Sequence, residues 1–405
     1  MDRTQKVLLE ALASAIRGEG LENSASDQID WNALFRLAQM HSVLPMVVQT
    51  AWDNPELWGK PGIMDPRRSV AKKAVIRQAR RTGEFILLYQ YLRDRGLKPL
   101  VLKGIVCREL YPVPDQRSSV DEDLLIDPEE YPALHDALTL YGLKRMGPET
   151  AGAYEMEYRD REKDLYIEVH KLPFAPDSEA VRQMNEIFGC ALTRTVEINI
   201  YGVSVRTLCP TDHLLYLLCH AYKHLIYSGF GIRQVCDICL FARKYAGEID
   251  WRHVAEVCRR RRIDTLAAAV FRIGSEHLGI PAPEAFAGIS VDELPLLEDI
   301  LTGGLYGVSD ENRLHSSNIT LGAVEAARKG RRPSGFWRSV FPPREYLENR
   351  FPYVKSHPVL LPAAWGQRVF NYLTDRKTGK KVKPAESIRI AAERIQLLRQ
   401  YGVID

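Results

Sequence analysis

Residues 98 to 126, KPLVLKGIVCRELYPVPDQRSSVDEDLLI, constrain the fold more tightly than any other part of the chain. The apolar run Leu100 to Leu102 has the length of a short buried strand and ends on Lys103-Gly104. Ile105 to Tyr111 then reads as about two turns of helix, Pro112 and Pro114 punctuate a loop, and a second apolar strand opens on acidic residues. Side chains alternate along a strand, so Asp121 and Asp123 share one face and Glu122 points to the other. Two carboxylates this close disfavour each other's ionisation, and a divalent cation relieves the repulsion. Hard oxygen ligands suit magnesium or manganese, whose shells are completed by water and substrate phosphates. Phosphate chemistry is therefore expected on this face; the plainer alternative is the solvated start of a strand.

The chain around this stretch predicts an α+β protein, a small mixed sheet flanked by N-terminal and C-terminal helical regions. Residues 1–96 read as helical, with apolar faces at Leu8, Leu9, Leu12 and Ile16, from Trp31 to Ala51, and from Val70 to Gly96. Asp30 is the expected N-cap of the second stretch and Gly96 the stop of the third. Residues 97–209 form the αβ core: a helix from Pro128 to Tyr141, a hairpin built from AYEMEYRD and DLYIEVH across a charged turn, and another, VEINIYGVSVRTL, turning near Tyr201-Gly202. Alternation puts Glu168 and His170 on one face, and a sheet that laid this strand beside the Asp121 strand would bring Glu168 to the aspartates.

Residues 210–405 are expected to be a helical domain. Its first helix is capped by Thr211 or Asp212 and carries His220 and His224 one turn apart; the next bears Arg233 and Asp237. Helices are expected from Asp250-Trp251 and over Asp264 to Leu278, loops from Gly288 to Asn318, a Pro- and aromatic-rich stretch over 335–365 that either packs over the cleft or forms an irregular connection, and two closing helices.

A net charge of +3 gives no strong overall field for nucleic acid, which is the less expected partner. Basic runs at Arg259 to Arg262, Arg328 to Arg332 and Lys377 to Lys383 read as solvated faces, as do Lys72, Lys73, Arg77, Arg80 and Arg81, although the last five sit where a polyanion would also be served. No apolar run approaches a membrane span, and the N-terminus is an amphipathic helix with acidic residues rather than a signal peptide, so a cytoplasmic location is expected. Seven cysteines scattered through apolar segments fit a reduced compartment. Cys236-x-x-Cys239 near Cys219 and the histidines would suit zinc, but no second pair accompanies it.

Lys103-Gly104, the helix, Arg117, Asp121-x-Asp123 with Leu124-Leu125-Ile126, then Glu168-Val169-His170 and His220, His224, Arg233 and Asp237 together resemble the uncharacterised nucleotidyltransferase family of the DNA polymerase β-like nucleotidyltransferase superfamily. The likeness runs from about Pro99 to about Trp251; Lys103-Gly104 stands where most of the superfamily has Gly-Ser, and the gap to Asp121 is longer. The resemblance implies a magnesium- or manganese-dependent enzyme with two ions, Asp121 and Asp123 bridging both and Glu168 holding the ion beside the acceptor. It implies that Lys103, Gly104 and Arg117 meet the nucleotide, while His170, His220, His224, Arg233 and Asp237 shape the cleft. The expected reaction moves a nucleoside monophosphate from NTP to a hydroxyl or amine of an unidentified small molecule or protein. A catalytically silent relative that binds a nucleotide or a protein is the alternative.

Overall fold

The computed structural model describes residues 1–21, 29–52, 65–147, 153–305, 311–328, 344, 347, 351, 353–374 and 384–404. Its strands are β1 (Leu100–Val101), β2 (Glu122–Leu125), β3 (Lys144–Arg145), β4 (Glu155–Asp160), β5 (Leu165–His170), β6 (Thr195–Ile200) and β7 (Val203–Leu208). Among the described residues they form one mixed sheet in the order β3-β4-β5-β2-β1-β7-β6, within a mostly helical α+β chain. β4–β5 and β6–β7 are the two expected hairpins. Tyr201 and Gly202 turn the second with φ of 50° and 84°, as a tight two-residue turn requires. β2 sits between β1, which it pairs antiparallel, and β5, which it pairs parallel with Asp123 opposite Glu168.

The helices before and between the strands are α1 (Arg3–Arg17), α2 (Trp31–Met40), α3 (Leu44–Thr50), α4 (Asp65–Arg93), α5 (Ile105–Arg108) and α6 (Tyr131–Tyr141). Those after the sheet are α7 (Pro210–Tyr227), α8 (Ile232–Lys244), α9 (Trp251–Arg261), α10 (Asp264–Leu278), α11 (Glu284–Ala287), α12 (Leu294–Gly303) and α13 (Glu311–Arg328), with Leu361–Thr374 and Pro384–Gln400 closing the chain. Asp30 and Asp250 cap α2 and α9 by accepting from the amides of Ala33 and His253. No helix among the described residues is long and apolar enough to cross a membrane.

Alternation along the strands divides the sheet into two differently used faces. Val101, Leu124, Ile126, Ile167 and Val169 pack with Phe85, Leu88, Tyr89 and Leu92 of α4 and Leu134 and Leu138 of α6. On the other face Leu100, Leu102 and Leu125 join a larger core with Leu214, Leu218 and Ile238 of α7 and α8. Helices α1 to α3 belong to that larger core, where α1 packs on α10.

Several local expectations are corrected. The stretch from Trp31 to Ala51 is two helices, because Ser42 is left-handed at φ 57° and the ring of Pro45 cannot sit inside a helix continuing from α2. The helix of Ile105 stops at Arg108, short of Tyr111. Cys209, followed by Pro210, caps α7; the Thr211 hydroxyl instead accepts from the Asp250 amide, and Asp212 pairs with Arg194 at 2.9 Å. The expected loop from Gly288 to Asn318 contains α12 and the start of α13, since Leu296, Leu297, Ile300 and Leu301 recur at helical spacing and are buried. About half of the Pro- and aromatic-rich stretch, residues 329–332 of one basic run, and the whole run from Lys377 to Lys383 lie outside the described residues; the end of that stretch is helical, Tyr353–Ser356, a 3-10 turn over Pro358–Leu360 and the start of Leu361–Thr374.

Candidate active site

The site begins where β1 hands over to α5. Gly104 is held at φ +59°, and a Cβ there would meet Glu122 Oε2 at 2.0 Å, so only glycine fits. Glu122 lies on the back of β2, fully enclosed, where it accepts from the Ile105 amide at 2.8 Å and pairs with the buried guanidinium of Arg108. This carboxylate therefore occupies the N-terminal end of α5 and anchors the turn from which Lys103 projects to the opposite face.

That opposite face carries the acidic wall. Asp123 is 1 % exposed, and its Oδ1 lies 3.2 Å from His170 Nε2. Glu168 Oε2 is 3.7 Å from the same imidazole nitrogen, and Glu155, opposite His170 on β4, approaches its Nδ1 at 3.6 Å. Lys103 Nζ stands between the two aspartates, 3.6 Å from Asp121 Oδ2 and 3.2 Å from Asp123 Oδ2. Burial acts to raise the pKa of Asp123, but Lys103 and His170 together outweigh it and hold the carboxyl below its usual range. At Glu168 the balance is reversed: burial, then the charges of Asp123 and Asp121, outweigh Lys103 and push it up to about 9.

The facing wall comes from α7 and α8. Tyr216, His220, Lys223 and His224 recur at helical spacing on α7 and line the cleft. Lys103 donates toward His220 Nε2 at 3.1 Å, and His224 Nε2 lies 3.2 Å from the same atom. Burial and then the Lys103 charge keep both imidazoles neutral, His220 well below the ordinary histidine value and His224 down to about 3. Between the walls lies a cleft of ≈ 450 Å³, a volume suited to a small ligand.

Arg117, Arg233 and Asp237 brace one side of this cleft. Asp237 accepts from Arg117 Nε at 2.8 Å and Nη2 at 2.6 Å, and from the Tyr111 hydroxyl at 2.7 Å. Arg233 donates to the carbonyl of Ser118, beside Arg117. The network thus ties α8 to the loop that precedes the acidic strand. Of the histidines of α7, His220 meets Lys103 and His224 lies against His220.

Asp121, Asp123, Glu168, His170, Lys103, His220, His224 and Arg233 all line the larger cleft, whereas Gly104, Arg117 and Asp237 line a water-sized pocket of ≈ 30 Å³ behind Lys103. Among the described residues, Asp123, Glu168 and His170 form the one group of three metal-ligand types whose donor atoms lie within 4.8 Å of one another. Two carboxylates and an imidazole, one carboxyl strained by like charge, are a donor set that fits a divalent cation. Cys236 and Cys239 are buried in α8 and pack as small apolar side chains.

Sequence reasoning did not single out Glu155, Tyr166, Tyr216 or Lys223, all of which line the cleft. Tyr216 and Lys223 share the helical face of His220, and Glu155 and Tyr166 follow from the alternation of β4 and β5, so the signal was present in the spacing. Arg81 also reaches the cleft, but its guanidinium holds both oxygens of Asp164, at 2.9 and 3.0 Å, and the Ser119 carbonyl at 3.1 Å.

No curated protein and no solved structure matches the chain. A family model described as uncharacterised nucleotidyltransferase matches residues 27–279, which span every strand of the sheet and helices α7 and α8; the match covers more than half of the chain, which belongs to that family.

Proposed function

We propose that the protein is a divalent-cation-dependent nucleotidyltransferase that moves a nucleoside monophosphate from NTP to a hydroxyl or amine acceptor, releasing pyrophosphate. The observation that carries this reading is the convergence of Asp123, Glu168 and His170 within 4.8 Å on the cleft face of the sheet, beside Asp121. A bound cation supplies neutralisation of these carboxylates and polarisation of the phosphoryl oxygens. Asp123, Glu168 and His170 would hold it, and Asp121 lines the same cleft. Lys103 and Lys223 present ammonium groups to the phosphates from opposite sides of the cleft. Arg117, Arg233 and Asp237 keep the loop before β2 in place, so their contribution is positioning. The acceptor oxygen or nitrogen bonds to the α-phosphorus as the bond to the pyrophosphate oxygen breaks, and the acceptor proton leaves to solvent. Orientation and charge stabilisation carry the rate.

The test is pyrophosphate release with each NTP and manganese or magnesium, in the presence of cell extract to supply the acceptor, with the Asp121→Asn/Asp123→Asn variant alongside. The reading predicts release by the wild type and a loss of ~10²-fold or more in the variant. Release that persists in the variant contradicts it. A second reading, a silent relative that binds nucleotide without turnover, is favoured by Lys103, which already offsets the charge of both aspartates. Nucleotide binding with no mass gain on any species in the extract would select it.

A further inference from the structure

We infer that the Lys103 ammonium is a built-in cation that takes the place of the second metal ion between Asp121 and Asp123, leaving one exchangeable ion site at Asp123, Glu168 and His170. The inference rests on the nucleotidyltransferase reading for its meaning, but its geometry is independent of it.

An ion bridging the two aspartates would occupy the space between their facing oxygens. Lys103 Nζ is in that space, 3.6 Å from Asp121 Oδ2 and 3.2 Å from Asp123 Oδ2. His220 Nε2 lies at 3.1 Å, within hydrogen-bond reach, so the ammonium is held by an imidazole while it faces two carboxylates. The lysine is also enclosed: its side chain is 14 % exposed, against 19 % for Asp121 and 1 % for Asp123. Nor is its starting point free to swing. The backbone at Gly104 is pinned by its positive φ and by Glu122, and the Leu102 amide donates to the Asp123 carbonyl at 3.0 Å, locking the turn to the acidic strand itself.

Asp123 meets Lys103 through Oδ2 and His170 through Oδ1, and the group of Asp123, Glu168 and His170 gathers on the His170 side. The two halves of the acidic wall are therefore unlike, one neutralised by the chain and one by an exchangeable ion. In the reaction the phosphates would meet an ammonium where a two-ion enzyme offers a second metal, and nucleotide affinity would survive removal of divalent ions.

The experiment is a manganese titration of the full-length protein without nucleotide, counting bound ions from the electron paramagnetic resonance signal of free Mn²⁺. One ion per chain is expected for the wild type and for Lys103→Arg. Two are expected for Lys103→Met, or for Lys103→Gln if the methionine variant does not fold, and one again when Asp121→Asn is added. Two ions in the wild type overturn the inference, as does a Lys103→Met or Lys103→Gln protein that still binds one. Pyrophosphate release is read separately: a wild type that binds two ions and transfers nucleotide removes the role given to Lys103 and leaves the proposed function standing.

Discussion

Two neighbouring acids on β2 are buried for opposite ends. Glu122 faces the back of the sheet, where Arg108 and the Ile105 amide account for both of its oxygens, and it serves to hold a turn. Asp123 faces the cleft, where its partners are a lysine and a histidine that are themselves part of the site. A single residue step, through the two-residue period of a strand, separates a carboxylate closed into the fold from one that lines the cleft. The lesson is that burial and pairing alone do not mark the chemistry; the company of the pair does. A pair closed on itself supports the fold, whereas a cluster with surplus like charge opening on a cleft is poised for a cation.

This contrast can be broken by treating the two faces alike. The largest effect is expected from Glu122→Ala, which leaves the fully buried Arg108 without its partner; urea unfolding should show a loss of about 3–5 kcal/mol. Asp123→Asn should do the reverse. Its urea midpoint should fall by less than that of Glu122→Ala, because Lys103 keeps Asp121 and His220 as neighbours, while pyrophosphate release falls by ~10²- to 10³-fold. A large stability loss in this variant with activity retained would show that Asp123 is only another Glu122.

A smaller effect sharpens the link between the faces. Gly104→Ala forces a side chain into a left-handed backbone and against Glu122, and should cost about 1–3 kcal/mol in the same unfolding assay while disturbing Lys103 on the far side. A pH effect probes the cleft face alone. The Glu168 carboxyl is raised to about 9 in the folded chain, so the folded state binds its proton more tightly than the unfolded state does. Its contribution is full below the ordinary glutamate range and is lost as pH climbs toward about 9. The metal-free protein should therefore melt at progressively lower temperature over that window, and Glu168→Gln should flatten the trend.

The legible parts of the molecule are those whose cause is local. Tyr166, Glu168 and His170 alternate against Leu165, Ile167 and Val169, and the structure separates them onto the two faces as that period demands. Asp264–Leu278 is a helix with the bounds its apolar spacing predicts, and Tyr201-Gly202 turns its hairpin. The pairing of Lys103 with His220 and of Arg117 with Asp237 was beyond reach, because each joins residues more than a hundred positions apart and depends on how α7 and α8 settle on the sheet. Nothing in the spacing shows that Arg108, midway through an apolar turn, answers Glu122. Helix α12 was hidden for a different reason: the glycines of the expected loop, Gly303 and Gly304 among them, end a helix whose buried face precedes them.

The most direct test of the account is anomalous diffraction from crystals soaked in manganese. It predicts a peak at bonding distance, about 2–2.3 Å, from side-chain atoms of Asp123, Glu168 and His170 on the cleft face of the sheet. A peak elsewhere, or a cleft whose three side chains bind no manganese at all, would contradict it.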